Sequence, residues 1–387
     1  MFELVDSIPK NAEIKVVGVG GGGGNAVRHM MASNIDGVHF ICANTDAQSL
    51  NDLENATISQ LGGTLTKGLG AGANPEVGRQ AALEDKERIA QVLDGADMVF
   101  ITAGMGGGTG TGGAPVIAEV AKQMGILTVG VVTRPFSFEG RKRMAVADAG
   151  IAALKERVDS LIIVPNEKLM QVLGKDMTVI DAFKQANDVL FGAVQGITDL
   201  IMLDGLINVD FADVRTVMAE MGMAMMGTGE ASGTDRAKVA AEGAIKCPLL
   251  EDINLQGAKG ILVNITSGYD LTLGEFEDVG DTIRSFADED ATIIVGSVFE
   301  PELEDQLRVT VVATGLRGVA AKTGPRGVVV DNAPARRTAS GDIDYGRLDK
   351  PTINRRSTTA ADGSTARKMD INADPEMDYL DVPAFLR

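Results

Sequence analysis

Strand-length apolar runs alternating with helical patterns predict an α/β fold. It comprises a Rossmann-like, doubly wound parallel sheet, a long central helix, a second, smaller α/β unit with a mixed sheet, and a disordered C-terminal tether. Three observations carry that expectation. Two glycine runs, at 18–25 and 104–113, each follow a β-branched apolar run and open into a helical pattern. A 24-residue segment from Thr178 to Ile201 keeps helical apolar spacing throughout. Periodicity ends after Gly315.

Taken in order, residues 1–11 have no periodic pattern and read as a flexible N-terminus. The first α/β unit covers 12–177, with strands predicted at 14–19, 38–43, 98–102, 127–133 and 160–164. One helix begins at Asn74-Pro75-Glu76, which combines an N-cap residue, proline at the first helical position and an early acid; it is expected to stop before Gly95. The connecting helix takes 178–203, and its 24 patterned residues, roughly 36 Å of helix, are enough to cross a domain. From 204 to 316 the pattern predicts strands at 260–266, 291–297 and 307–313, with helices at 214–221 and 275–287. Residues 317–377 are rich in Ala, Arg, Asp, Ser, Thr, Pro and Gly and have too few apolar side chains to offset the entropy of ordering. Such a coil reaches ~40–45 Å. The last ten residues, 378–387, restore apolar and aromatic character, the pattern of a peptide that docks on a partner.

Composition narrows the function. The 387 residues are 44% hydrophobic and 23% charged, ordinary for a globular protein. No apolar run is long enough to cross a membrane, and the N-terminus lacks the order of a signal peptide, so a cytoplasmic location is expected. Cys42 and Cys247 have no metal-ligand spacing and read as reduced thiols. With only His29 and His39, histidine catalysis is not expected. The formal charge is −18, and beyond position 316 there are 12 basic against 10 acidic residues, so the first 316 residues carry about −20. That balance argues against nucleic acid as a partner, because phosphate backbones need clustered Lys and Arg.

Strand, glycine loop and helix aim backbone N–H groups and a helix N-terminus at a phosphate. Glycine suits this because the backbone can approach oxygens closely. Gly18, Gly20 and Gly23 satisfy G-x-G-x-x-G, so the first loop alone also fits a dinucleotide site, or simply tight strand–helix packing. Neither loop has the Gly-Lys-Ser/Thr of a Walker A motif.

The second loop is far more specific. Gly106-Gly107-Gly108-Thr109-Gly110-Thr111-Gly112 resembles the signature of the tubulin/FtsZ family. The first loop, Asn208-Val209-Asp210-Phe211-Ala212-Asp213 and the terminal Asp-Tyr-Leu-Asp-Val-Pro-Ala-Phe-Leu-Arg resemble the bacterial FtsZ branch in particular. The resemblance runs from about residue 12 to 316, skips the tether and resumes at Asp378.

It implies a GTPase that polymerises head to tail into filaments of the division ring, with 12–177 as the GTP-binding domain and 204–316 as the GTPase-activating domain. Its cofactors would be GTP or GDP and Mg²⁺, the metal carried by GTP phosphates without a dedicated protein ligand. Gly21, Gly22, Gly23 and Gly24, with Gly107, Gly108, Thr109 and Gly110, would hold phosphates, and Ala71 and Ala73 would add a contact. Glu139 would accept from a ribose hydroxyl and Arg143 would reach ribose or phosphate; by pattern alone Arg141, Lys142 and Arg143 are a solvated helix face. Phe183, Asn187 and Asp188 share one face of the long helix. There Asp188 would read guanine and Phe183 would stack on it, unless Phe183 is simply a core aromatic. Asn25 and Asn166 would complete the pocket.

Asp210 and Asp213, with Asn208, would supply catalysis to the next subunit's GTP. By pattern alone the two acids are first-turn helix caps. Tyr379, Leu380, Pro383, Phe385 and Leu386 would bind membrane-linked adaptors of FtsA or ZipA type, alongside other division regulators, with no direct membrane insertion. Localisation would be cytoplasmic, at mid-cell. Two other classes stay open on the residues themselves, a nicotinamide-dependent oxidoreductase and a GTP-binding regulator that does not polymerise.

Overall fold

Alternate residues of the first strand face opposite ways: Ile14 and Val16 enter one hydrophobic cluster, Val17 and Val19 another. Burial on both faces is what a parallel sheet covered by helices requires. The computed structural model describes residues 12–316 apart from 34, 36, 52, 54, 174–176, 204, 206, 208, 220, 221, 248, 251–257, 302 and 304, and the side chains of 171–173. The expected N-terminal coil, the tether and the terminal peptide lie outside the described residues.

The chain runs β1 (Ile14–Val19), α1 (Gly20–Ala32), β2 (Val38–Asn44), β3 (Thr57–Gln60), α2 (Gly63–Thr66), α3 (Pro75–Glu84), α4 (Lys86–Leu93), β4 (Met98–Gly104), α5 (Thr109–Gln123), β5 (Leu127–Arg134), α6 (Arg141–Lys155), β6 (Ser160–Pro165) and α7 (Asn166–Leu173). Then come α8 (Val179–Met202), α9 (Phe211–Met218), β7 (Gly222–Ser232), α10 (Arg236–Ile245), β8 (Gly260–Ser267), α11 (Leu273–Phe286), β9 (Thr292–Phe299) and β10 (Gln306–Leu316). One sheet of ten strands results, ordered β3-β2-β1-β4-β5-β6-β7-β10-β8-β9. Its first six strands are parallel. β6 joins β7 in parallel over three residues, and β10 is antiparallel to both β7 and β8, which makes the second half mixed.

Two strands were not legible in the sequence. β3 is a four-residue edge strand. β7 reads GMAMMGTGEAS, with little β-branched character, and its glycines are there for packing. A Cβ on Gly229 would lie 2.1 Å from the Ala240 carbonyl oxygen, and one on Gly227 2.0 Å from that of Ala244. These bare positions let α10 lie directly on the strand.

The single helix expected to run from Asn74 toward Gly95 is two helices. Asn74 caps α3 by accepting from the Glu76 N–H at 3.1 Å. Asp85 then leaves the helical path, and its carboxylate accepts from the Gly62 N–H at 2.6 Å. The helix expected at 214–221 begins earlier, at Phe211. α8 starts where its pattern predicted, with the Thr178 hydroxyl accepting from the Asp181 N–H at 3.2 Å.

Candidate nucleotide site

β1 returns to β2 on one side, and the chain then crosses to lay β4 on the other. The strand order therefore reverses between β1 and β4, and the crevice at the carboxyl ends of such a pair is where open α/β sheets bind ligands. Both glycine loops leave the sheet there. α1 and α5 start so close together that a Cβ on Gly20 would lie 2.8 Å from the Gly110 nitrogen.

Neither helix start has a side-chain cap: Val19 precedes α1 and Gly108 precedes α5, and neither side chain accepts a helix N–H. By contrast α3, α8 and α11 are capped by Asn74, Thr178 and Thr272. Each helix start has up to four N–H groups without an intrahelical partner, so two uncapped, adjoining starts form a strong anion site.

The loop glycines divide by what surrounds them. Gly23, Gly108 and Gly110 sit against backbone, and the Gly108 N–H donates to the Gly72 carbonyl at 2.9 Å. Gly22 lies over Gly104. Gly21, Gly24 and Gly107 face open space. Ala71 packs on Gly108 and is buried, whereas Ala73 is exposed. The Thr109 hydroxyl shares a hydrogen bond of 2.6 Å with the Thr45 hydroxyl. Thr45 was missed by sequence reasoning; its signal is that it follows β2, the next strand end along the same edge.

Beyond β5, Glu139 accepts from the Phe136 N–H at 2.9 Å and pairs with Arg143 at 3.0 Å. The stem of Arg143 covers Gly106, so of the three bases it is Arg143 that turns to the second loop. Arg141 and Lys142 are exposed. Asn166 opens α7, and its buried Oδ1 has no partner, leaving an acceptor for a donor brought by a ligand.

Phe183 is 43% exposed, which removes the core-aromatic alternative. Its ring stands edge-on to the fully buried Phe136 at 5.3 Å. Asn187 is half-buried, and Asp188 meets His29 of α1 at 2.6 Å. At the first loop, Asn25 accepts from Arg28 at 2.9 Å. Burial pushes the Cys42 thiol, beside Gly18 on β2, up to about 11, which keeps it protonated and inert.

Asp210 and Asp213 are not part of this cluster. Asp188 precedes the end of α8 by 14 residues, about 21 Å of helix, and α9 begins only after that end. Arg215 ties α9 to the Gly125 carbonyl at 2.8 Å, in the loop that enters the amino end of β5. The acids thus lie at the edge of the parallel sheet opposite the glycine loops. Both are exposed, and Asp210, at the N-cap position, makes no side-chain cap. Asn208, Tyr379, Leu380, Pro383, Phe385 and Leu386 lie outside the described residues.

This combination of a switch-point site on two glycine loops, a long helix that presents Phe183, Asn187 and Asp188, and a mixed second half defines a tubulin-like nucleotide-binding protein. Residues 13–174 match the family model for the Tubulin/FtsZ family, GTPase domain, and residues 222–317 that for the FtsZ family, C-terminal domain. The chain is 62% identical to cell division protein FtsZ of Pseudomonas aeruginosa over 397 residues, covering 100% of this chain and 99% of that one. It is 59% identical to that of Coxiella burnetii over 390 residues, with the same coverage. Among solved structures, a point mutant of FtsZ from M. jannaschii superposes with a TM-score of 0.76 at 46% identity, over 79% of this chain and 92% of that one. The chain belongs to the FtsZ family of tubulin-like GTPases. It binds GTP and GDP, hydrolyses GTP and assembles with copies of itself into filaments of the bacterial division ring.

Proposed function

We propose that GTP hydrolysis by this chain is completed only at the junction between two copies. The observation that supports it is the separation of the two halves of the chemistry. The uncapped starts of α1 and α5 offer N–H groups at the carboxyl edge. Asp210 and Asp213 stand exposed at the other edge, and Asp210, at the N-cap position of α9, makes no side-chain cap. Head-to-tail stacking is a heterologous contact that does not close, so it yields a filament.

At each junction the lower copy holds GTP. Gly21 to Gly24, with Gly107, Thr109 and Gly110, donate to the phosphates, and Thr109 adds a hydroxyl, while Gly108, whose N–H is held by the Gly72 carbonyl, fixes the loop. Glu139 and Arg143 meet the ribose or phosphates, with Ala71 and Ala73 near the phosphates and Asn25 and Asn166 around the nucleoside. Phe183 stacks on the base, and Asp188, beside Asn187, accepts two donors that guanine has and adenine lacks. The upper copy brings Asp213 and Asp210, with Asn208, to orient and polarise the water that attacks the γ-phosphate. Mg²⁺ would ride on the phosphates and waters, where it would offset phosphate charge in a strongly acidic body.

Turnover per subunit should rise steeply above a threshold protein concentration, together with light scattering under GTP and not GDP. Asp213→Ala should bind GTP normally and lose about a hundredfold in turnover. Turnover that is flat in protein concentration, or parental hydrolysis by D213A, sinks the shared site. The terminal peptide 378–387 would tether filaments in the cytoplasm to membrane-linked adaptors of FtsA or ZipA type. Among the described residues no helix is long and apolar enough to cross a membrane. Deleting 378–387 should leave scattering unchanged and abolish adaptor pull-down.

A further inference from the structure

α1 touches the nucleotide site twice. Its first turn is the phosphate loop, and nine residues after Gly20 the same helix sends His29 across to α8. His29 Nε2 lies 2.6 Å from Asp188 Oδ1. The imidazole stands edge-on to Phe191, with centroids 6.1 Å apart and planes at 86°, so its orientation is fixed by packing as well as by the carboxylate. The His29 side chain is only 21% exposed.

A carboxylate offers about four lone-pair directions on two oxygens. One N–H on Oδ1 uses a single direction and leaves Oδ2 and the far side of Oδ1 open. Two parallel donors, such as N1–H and the 2-amino group of guanine, require the carboxylate plane to be held; a short aspartate free to rotate loses rotamer entropy when it binds them. We propose that His29 is a positioning residue for base selection. It holds the Asp188 carboxylate in the plane of guanine and couples base reading to the helix that carries the phosphate loop. This inference rests on the base-reading role given to Asp188. A neutral imidazole carrying the proton on Nε2 suffices for it.

The test is competition of GDP and IDP for the full chain, read by displacement of a fluorescent GDP analogue. Diphosphates keep assembly out of the measurement, and IDP lacks the 2-amino group. The parent should prefer GDP. His29→Ala should weaken GDP about tenfold, the worth of one hydrogen bond to a charged group, and IDP about threefold or less. His29→Gln, which keeps an N–H near the Nε2 position, should restore the preference. Unchanged binding of both diphosphates, or equal loss of both as a misfolded site would give, overturns the proposal.

Asp188→Ala separates the two levels. If it abolishes the GDP preference while H29A keeps it, the role of His29 alone is overturned. If D188A itself keeps the preference, the base-reading role falls and the proposal falls with it.

Discussion

Gly107 and Gly108 are neighbours in one motif, yet a methyl group would meet different surroundings at each. At Gly107 nothing lies within 4 Å, whereas at Gly108 a Cβ would stand 2.4 Å from the Gly72 carbonyl oxygen. Gly107→Ala should therefore fold normally, with a melting temperature within a few degrees of the parent, and lose GTP affinity tenfold or more by filling the space proposed for phosphate. Gly108→Ala should lose about 2–3 kcal/mol of stability from overpacking against backbone. Thermal unfolding and nucleotide titration of both variants separate the two outcomes. The sequence marks both residues as phosphate-loop glycines and cannot sort them, because the discriminating atom belongs to a loop 36 positions away. The same limit hid the partners of Asp188 and Thr109, which come from other elements. The side-chain types at these positions were legible; their contacts were not.

Among the elements, α10 and α11 are pinned by a buried cation. Arg236 is 5% exposed and reaches Asp270 and Glu275, each at 2.6 Å, while the same Glu275 closes the capping box of α11 with Thr272. The Arg236 guanidinium beside it, with Thr272, holds Glu275 down to about 2 from its ordinary 4.5. Arg236→Met leaves two carboxylates without their cation and should cost about 3 kcal/mol.

The depressed Glu275 value sets the sign of the pH effect. Its contribution is complete above about pH 4.5, where the unfolded chain is also ionised, and is lost as pH falls toward 2. Urea unfolding should show Glu275→Gln less stable than the parent by about 2 kcal/mol at pH 7, with the gap narrowing below pH 4.5. A gap that stays constant down to pH 3 contradicts the pairing.

Elements with strong local signals matched the sequence pattern, as α8 did through its Thr178 cap and apolar stripe. β7 did not, because its glycines and methionines are chosen by α10 and by the strands on either side, a tertiary preference that no local propensity records. The break at Asp85 has the same origin, in a backbone N–H 23 residues back.

For the whole molecule, the order of strands placed the loops and the acids at opposite edges, and under the proposed shared site neither edge is sufficient alone. The sequence showed both sets of residues and the family that pairs them. It did not show the roughly 20 Å of α8 between them, a distance set by the topology.

Complementation in a mixture addresses that separation directly. Asp213→Ala keeps the loops and removes the acid, while Gly107→Asp keeps the acid and puts a negative charge where phosphate would bind. If the site is shared between copies, each variant alone should hydrolyse GTP at a few per cent of the parental rate or less, and an equimolar mixture should exceed both several-fold, because the acid of one faces the nucleotide of the other. A mixture no faster than the mean of its components would contradict the account.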